Sequence, residues 1–177
     1  MKKVQLGTGS NLLEGWENRE LDADIRKPLP YLDNEVDLIL IEHVLEHIIQ
    51  KEAYNFFLEC RRVLKVGGTI RIIIPDLKKI YEGCNQDYLS FIGVFFPAGQ
   101  ILTVKDAIEA IIFKHNHESY WSSDLLITIL SIVGFKCSIE RYRESRIPEL
   151  RDVDGHWKLM GLDRCIMESV VVEASKI

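Results

Sequence analysis

The chain has 177 residues, 47% of them hydrophobic, and its 22 Lys and Arg against 27 Asp and Glu give a formal net charge of −5. That length and apolar share suit a single domain over residues 1–177 with one continuous core, and the lack of a basic block argues against nucleic acid as substrate or partner. No apolar run approaches the roughly 18 residues that cross a bilayer, no signal peptide precedes the first strand-like segment, and Cys60, Cys84, Cys137 and Cys165 form no Cys-x-x-Cys pair; the expectation is a cytoplasmic protein with reduced packing cysteines and no membrane partner.

Lys3 to Leu6 reads as a short strand ending in the glycine loop Gly7-Thr8-Gly9. Residues 16 to 25 give an extended stretch with Glu20, Asp22 and Asp24 on one face, before Lys27-Pro28-Leu29-Pro30 forces a loop. Val36 to Ile41 is nearly continuous apolar sequence, which suits a central parallel strand covered on both faces. From Lys51 to Lys65 apolar residues recur at helical spacing, with Gly67-Gly68 expected to end the helix. Thr69 to Ile74 is a second buried strand, so residues 36 to 75 form a strand-helix-strand unit with a right-handed crossover.

Residues 86 to 117 carry Phe91, Phe95, Phe96 and Pro97 and then a helix from Val104 to Phe113, and they read as an insertion or lid over the sheet. The three phenylalanines suit buried core or a dimer face, so a homodimer is one reading. Ser122 caps a helix that Gly134 closes, and Lys136 to Arg143 and Ser169 to Ala174 are the last strands, an antiparallel pair. Between them the polar stretch has too little helical pattern for a crossover.

Three features carry chemistry. A glycine loop after the first strand lets the backbone approach a ligand at the carboxyl edge of a parallel sheet. A dinucleotide fingerprint would want glycine where Leu12 stands, which disfavours a pyrophosphate cradle. Glu20, at the end of the second strand, can accept both hydroxyl hydrogen bonds of a ribose. Asp24 lies nearby, suited either to an exocyclic amine such as adenine's or to capping its own turn. Glu42-His43-Val44-Leu45-Glu46-His47 follows the buried strand and projects two acids and two histidines toward the same crevice. A zinc reading of these residues is poor, because metal helices with two histidines at i and i+4 usually set an acid facing them and a third ligand elsewhere, and no metal is expected. His115 and His117 read as polar loop or substrate contact, and His156 has only its type and its turn to support it.

Taken in order, Gln5-Leu6-Gly7-Thr8-Gly9, Gly15 to Glu20, Lys27 to Pro30, Glu42 to His47 and Arg62 to Gly68 resemble the motif series of class I S-adenosylmethionine-dependent methyltransferases. The chain is most similar to the small predicted methyltransferases of the methyltransferase type 11 kind, often associated with glycan or surface-polymer genes. The resemblance implies a Rossmann-like three-layer α/β sandwich, its sheet mainly parallel with an antiparallel C-terminal pair, and S-adenosylmethionine as cofactor with S-adenosylhomocysteine as product. It implies that Gln5, Gly7, Thr8 and Gly9 line the methionine side, that Glu20 holds the ribose, that Asp24 and Ile25 border the adenine, and that Glu42 and His43 sit beside the sulfonium.

The chain departs from the family at Gln5, where an acid commonly holds the methionine amino group, and at Val66, where proline is frequent. It also departs in the short stretch from Gly9 to Trp16, and in starting directly at the first strand, so that the cofactor cleft is open or covered by a second subunit. The implied reaction is O- or N-methylation of a small-molecule or glycan-like acceptor, with His43 and then His117 as base. The alternative is a non-catalytic module of the same fold that binds cofactor or a protein partner. A nicotinamide oxidoreductase fails on Leu12 and on the lack of a Tyr-x-x-x-Lys dyad.

Overall fold

The strands are β1 (Lys3–Leu6), β2 (Glu17–Arg19), β3 (Val36–Glu42), β4 (Leu64–Pro75), β5 (Phe135–Glu140) and β6 (Ser169–Lys176), with the apolar β-branched runs in β3, β4 and β6. The computed structural model describes residues 1–20, 24–83, 89, 99, 103–113 and 116–177. Its helices are α1 (Gln50–Val63), α2 (Leu77–Gly83), α3 (Val104–Phe113), α4 (Ser123–Val133), the single turn α5 (Trp157–Met160) and α6 (Leu162–Glu168), with 3-10 turns at Leu45–His47 and Pro148–Leu150. Asp22, Cys84, Phe91, Phe95, Phe96, Pro97 and His115 lie outside the described residues, as does most of the expected 86–117 insertion. No helix among the described residues is long and apolar enough to cross a membrane.

The strands form one sheet in the order β2-β1-β3-β4-β6-β5. β1 pairs parallel with β2 and β3, and β3 pairs parallel with β4. β6 then runs antiparallel to both β4 and β5, so it alone is reversed. The carboxyl ends of β1 to β4 therefore share one edge, the edge at which ligands of parallel sheets bind.

Alternation along the strands sends two different populations to the two faces. Val4, Leu6, Ile39, Ile41, Ile70, Ile72, Ile74, Val170 and Val172 join Phe56, Phe57 and Cys60 of α1 and Leu126, Leu130 and Val133 of α4 in the larger core. Each large side chain so buried contributes about 1.5–3 kcal/mol. On the other face Leu40, Ile73 and Val171 pack with Leu13, Trp16, Tyr142 and Val153, which come mainly from loops.

Three expectations are corrected. α1 stops at Val63, because Leu64 already pairs with Val36, and Gly67-Gly68 lies within β4, in the register shift between its pairings with Val36 and Leu38. A Cβ on Gly68 would sit 2.9 Å from the Lys65 carbonyl oxygen and 3.0 Å from that of Asp37, so glycine serves the close approach of two strands and not a helix end. β2 ends at Arg19, which leaves Glu20 and Asp24 off any shared strand face. The polar stretch before β6 holds α5 and α6, whose 4 and 7 residues are too short to show a periodic pattern. At the other extreme, α4 has the expected ends: Ser122 Oγ accepts from Leu125 N, and Gly134 takes φ +102°.

Candidate active site

At the carboxyl edge, β1 turns through Gly7 with φ +69°, and a Cβ there would lie 2.4 Å from Val44 Cγ2 in the turn after β3. Only glycine meets both conditions without displacing that turn. The Gly7 amide donates to the Arg19 carbonyl at 2.8 Å, and Thr8 Oγ1 donates to Glu20 Oε1 at 3.0 Å, so the loop is stitched to the end of β2. Gly9, also at positive φ, has open space where its Cβ would be.

Gln5, Gly7, Thr8, Gly9, Glu42 and His43 line a crevice of about 220 Å³. Gln5 is 2% exposed, and its Oε1 is buried without a hydrogen-bond partner. An orphaned amide oxygen costs about 1–3 kcal/mol, and on the wall of a crevice it is an acceptor held ready for a ligand donor. Asp24 and Ile25 are not part of this wall. Asp24 Oδ1 accepts from Arg26 N at 3.1 Å and pairs with the Arg26 guanidinium, capping its turn, and Ile25 is buried in the larger core.

The opposite wall is a strap from the C-terminal part of the chain, with Gly155, His156, Lys158 and Leu159 facing the glycine loop. Glu42 holds it: Oε2 accepts from Gly155 N at 2.7 Å, and Oε1 accepts from His156 N at 3.0 Å and from the Tyr142 hydroxyl at 2.7 Å. Burial, with Glu42 beside it, pushes the Tyr142 hydroxyl far above its ordinary range, so it remains a donor. Behind the strap, Arg71 of β4 is wholly buried, with Nε and Nη2 on the two oxygens of Asp154 at 2.7 and 2.5 Å and Nη1 on Glu173 Oε1 at 2.6 Å. Lys158 Nζ reaches Asn11 Oδ1 at 2.9 Å across the crevice.

His43 forms the boundary with a second cavity, about 240 Å³, which Glu46, His47, His117, His156, Cys165 and Glu168 also line. His43 has φ +53°, stacks on His156 with ring centroids 4.0 Å apart, and sets Nδ1 3.0 Å from Glu46 Oε1 and Nε2 3.3 Å from Ser169 Oγ. Burial works against a charge on His43, but Glu46, Glu42 and Glu168 outweigh it and raise the imidazole's pKa. Burial pushes the Cys165 thiol up to about 11, which makes it a poor nucleophile. A carboxylate oxygen of Glu46 and one ring nitrogen each of His47 and His117 lie within 4.8 Å of one another, a grouping across two segments that the local spacing of Glu42 to His47 did not suggest. The sequence offered no sign of Tyr142, Arg71 or Asp154, and His156 only by residue type.

Residues 8–72 match the family model described as a methyltransferase domain. No curated protein matches the chain. Among solved structures the chain is similar to a SAM-dependent methyltransferase from Archaeoglobus fulgidus, at 15% identity and TM-score 0.57, over 99% of this chain and 86% of that one. It is similar to an S-adenosylmethionine-dependent methyltransferase from Mesorhizobium loti at 14% identity and TM-score 0.55, over 99% and 90% of the two chains. A SAM-dependent methyltransferase from Thermotoga maritima matches at 15% identity and TM-score 0.54, over 99% and 82%. The chain thus has the Rossmann-like class I methyltransferase fold, and its first half carries the methyltransferase domain pattern.

Proposed function

We propose that the chain binds S-adenosylmethionine in the crevice between Gly7–Gly9 and Glu42-His43 and directs its methyl to an oxygen or nitrogen of a small-molecule or glycan-like acceptor in the adjoining cavity. The observation that carries this reading is that the two cavities share His43 and His156 as walls, so a donor in one faces an acceptor in the other. Bound cofactor supplies a methyl group already activated on a sulfonium, which leaves the protein the work of positioning and proton removal. Gln5 Oε1 suits the ammonium of the methionine moiety, and Glu20, steadied by Thr8, suits the ribose hydroxyls. His43, with Nδ1 turned to Glu46 and Nε2 3.3 Å from Ser169 Oγ, is the first candidate to take a proton from the acceptor, and His117 lines the same cavity.

A second reading, a cofactor-fold module without transfer, draws on the strap. Ligand clefts usually span about 300–1,000 Å³, and with Gly155–Leu159 in place the crevice is about 220 Å³. Calorimetric titration with S-adenosylmethionine and S-adenosylhomocysteine decides between them when followed by an acceptor screen. Micromolar binding that weakens in Glu20→Ala and Gly7→Val supports the cofactor site, methylated product supports transfer, and a parent protein that binds neither ligand sinks the transfer reading and leaves a non-catalytic module that binds a protein partner.

A further inference from the structure

The proposed transfer uses Glu46 only through one of its oxygens. Glu46 is 2% exposed; Oε1 meets His43 Nδ1, while Oε2 is buried and has no hydrogen-bond partner. A buried carboxylate oxygen without a donor carries the desolvation cost of a charged acceptor, about 1–3 kcal/mol or more, and a cation would offset it. The same carboxylate group comes within 4.8 Å of ring nitrogens of His47 and His117.

The spacing of these three is set by backbone. Glu118 N and Ser119 N both donate to the Glu46 carbonyl, at 2.8 and 3.1 Å, which zips residues 116–119 onto the turn after β3. The His47 and His117 rings lie edge to face with centroids 4.9 Å apart. His47 Nδ1 stands 3.3 Å from the Asn116 carbonyl oxygen; with the proton on Nδ1, the lone pair is left on Nε2, the arrangement that supports metal-bound histidine. His43 stands behind the Glu46 carboxylate in the corresponding supporting place.

We propose that Glu46, His47 and His117 form a binding site for a first-row divalent cation of zinc's kind. Two imidazoles and one carboxylate suit such an ion and leave coordination positions open. All three residues line the 240 Å³ cavity, so an open position would take an oxygen or nitrogen of a molecule bound there and make its proton easier to remove. That last role rests on the methyl-transfer reading; the cation site does not.

Equilibrium dialysis of the purified chain with zinc, with cobalt(II) absorption as a second readout, tests the site. Expected are one ion per chain and affinity at least about tenfold weaker in each of His47→Ala, His117→Ala and Glu46→Gln, with metal-free circular dichroism and melting unchanged in the exposed His47→Ala variant. Zinc uptake by the double histidine variant equal to the parent's overturns the site. So does full-strength binding by Glu46→Gln, which would reduce it to a surface histidine pair. S-adenosylhomocysteine titration with chelator present separates the two claims: cofactor binding without zinc uptake overturns the cation site alone, and zinc uptake without cofactor binding overturns the transfer reading alone.

Discussion

The glycine loop and the strap face each other across one crevice, but they are held by different forces. Gly7–Gly9 is the continuation of a strand registered in the sheet, and its position follows from main-chain pairing and the contact with Val44. The strap is fixed by polar contacts, most of them to two buried or half-buried side chains, Glu42 at its front and Arg71 at its back, with Asn11 bonded to Lys158 and to the Val153 carbonyl besides. A wall made of backbone yields only when the sheet does. A wall held mainly by a few side chains is the easier of the two to release by substitution.

Substitutions at these points separate the two walls. Arg71→Met leaves Asp154 and Glu173 buried without their cation and is expected to lower unfolding stability by about 3–5 kcal/mol; a denaturant midpoint equal to the parent's would mean that the strap's rear pin contributes nothing. Gly7→Val adds a Cβ into Val44 at a positive φ, at a cost of about 2 kcal/mol or more, and should abolish cofactor binding while the strap stays closed. Glu42→Gln keeps one acceptor oxygen and turns an amide toward the strap's own N–H groups, a loss of about 1.5–3 kcal/mol in local holding energy. Its expected effect is an open strap with near-parental global stability. Trp157, which packs under the Arg143 guanidinium 5.2 Å from its ring centroid, would report the opening as a fluorescence change, and an unchanged spectrum would mean that Glu42 does not hold the strap. The smallest effect belongs to Glu20→Ala, about 1 kcal/mol or fivefold in cofactor affinity by calorimetry, since Glu20 is exposed and is held by the Thr8 hydroxyl.

The same contrast explains what the sequence made legible. β1, β3, α1 and α4 announce themselves through local signals: apolar runs, helical spacing, a serine cap and a closing glycine. The glycine loop was readable for the same reason, since Gly7, Thr8 and Gly9 follow directly on the apolar run of β1. The strap was not, because its pins join Glu42 to Gly155 and Arg71 to Asp154 across 113 and 83 residues and leave no local pattern. Gly67-Gly68 misled because a glycine pair after an amphipathic helix has two physical uses, and only the pairing of Leu64 with Val36 decides between them. Asp24 had two uses as well, and the structure shows it on its own turn.

The placement of β6 bears on how the protein is made. Among the described residues β5 pairs with β6 and with no other strand, and β6 is built from residues 169–176. During synthesis β1, β3 and β4 can pair as they emerge, but β4, which ends at Pro75, then presents an open edge of apolar, β-branched sequence until β6, which begins at Ser169, has been translated. Unpaired edges of this type template aggregation, so the interval between β4 and β6 is the stretch of synthesis in which the nascent chain most needs a chaperone.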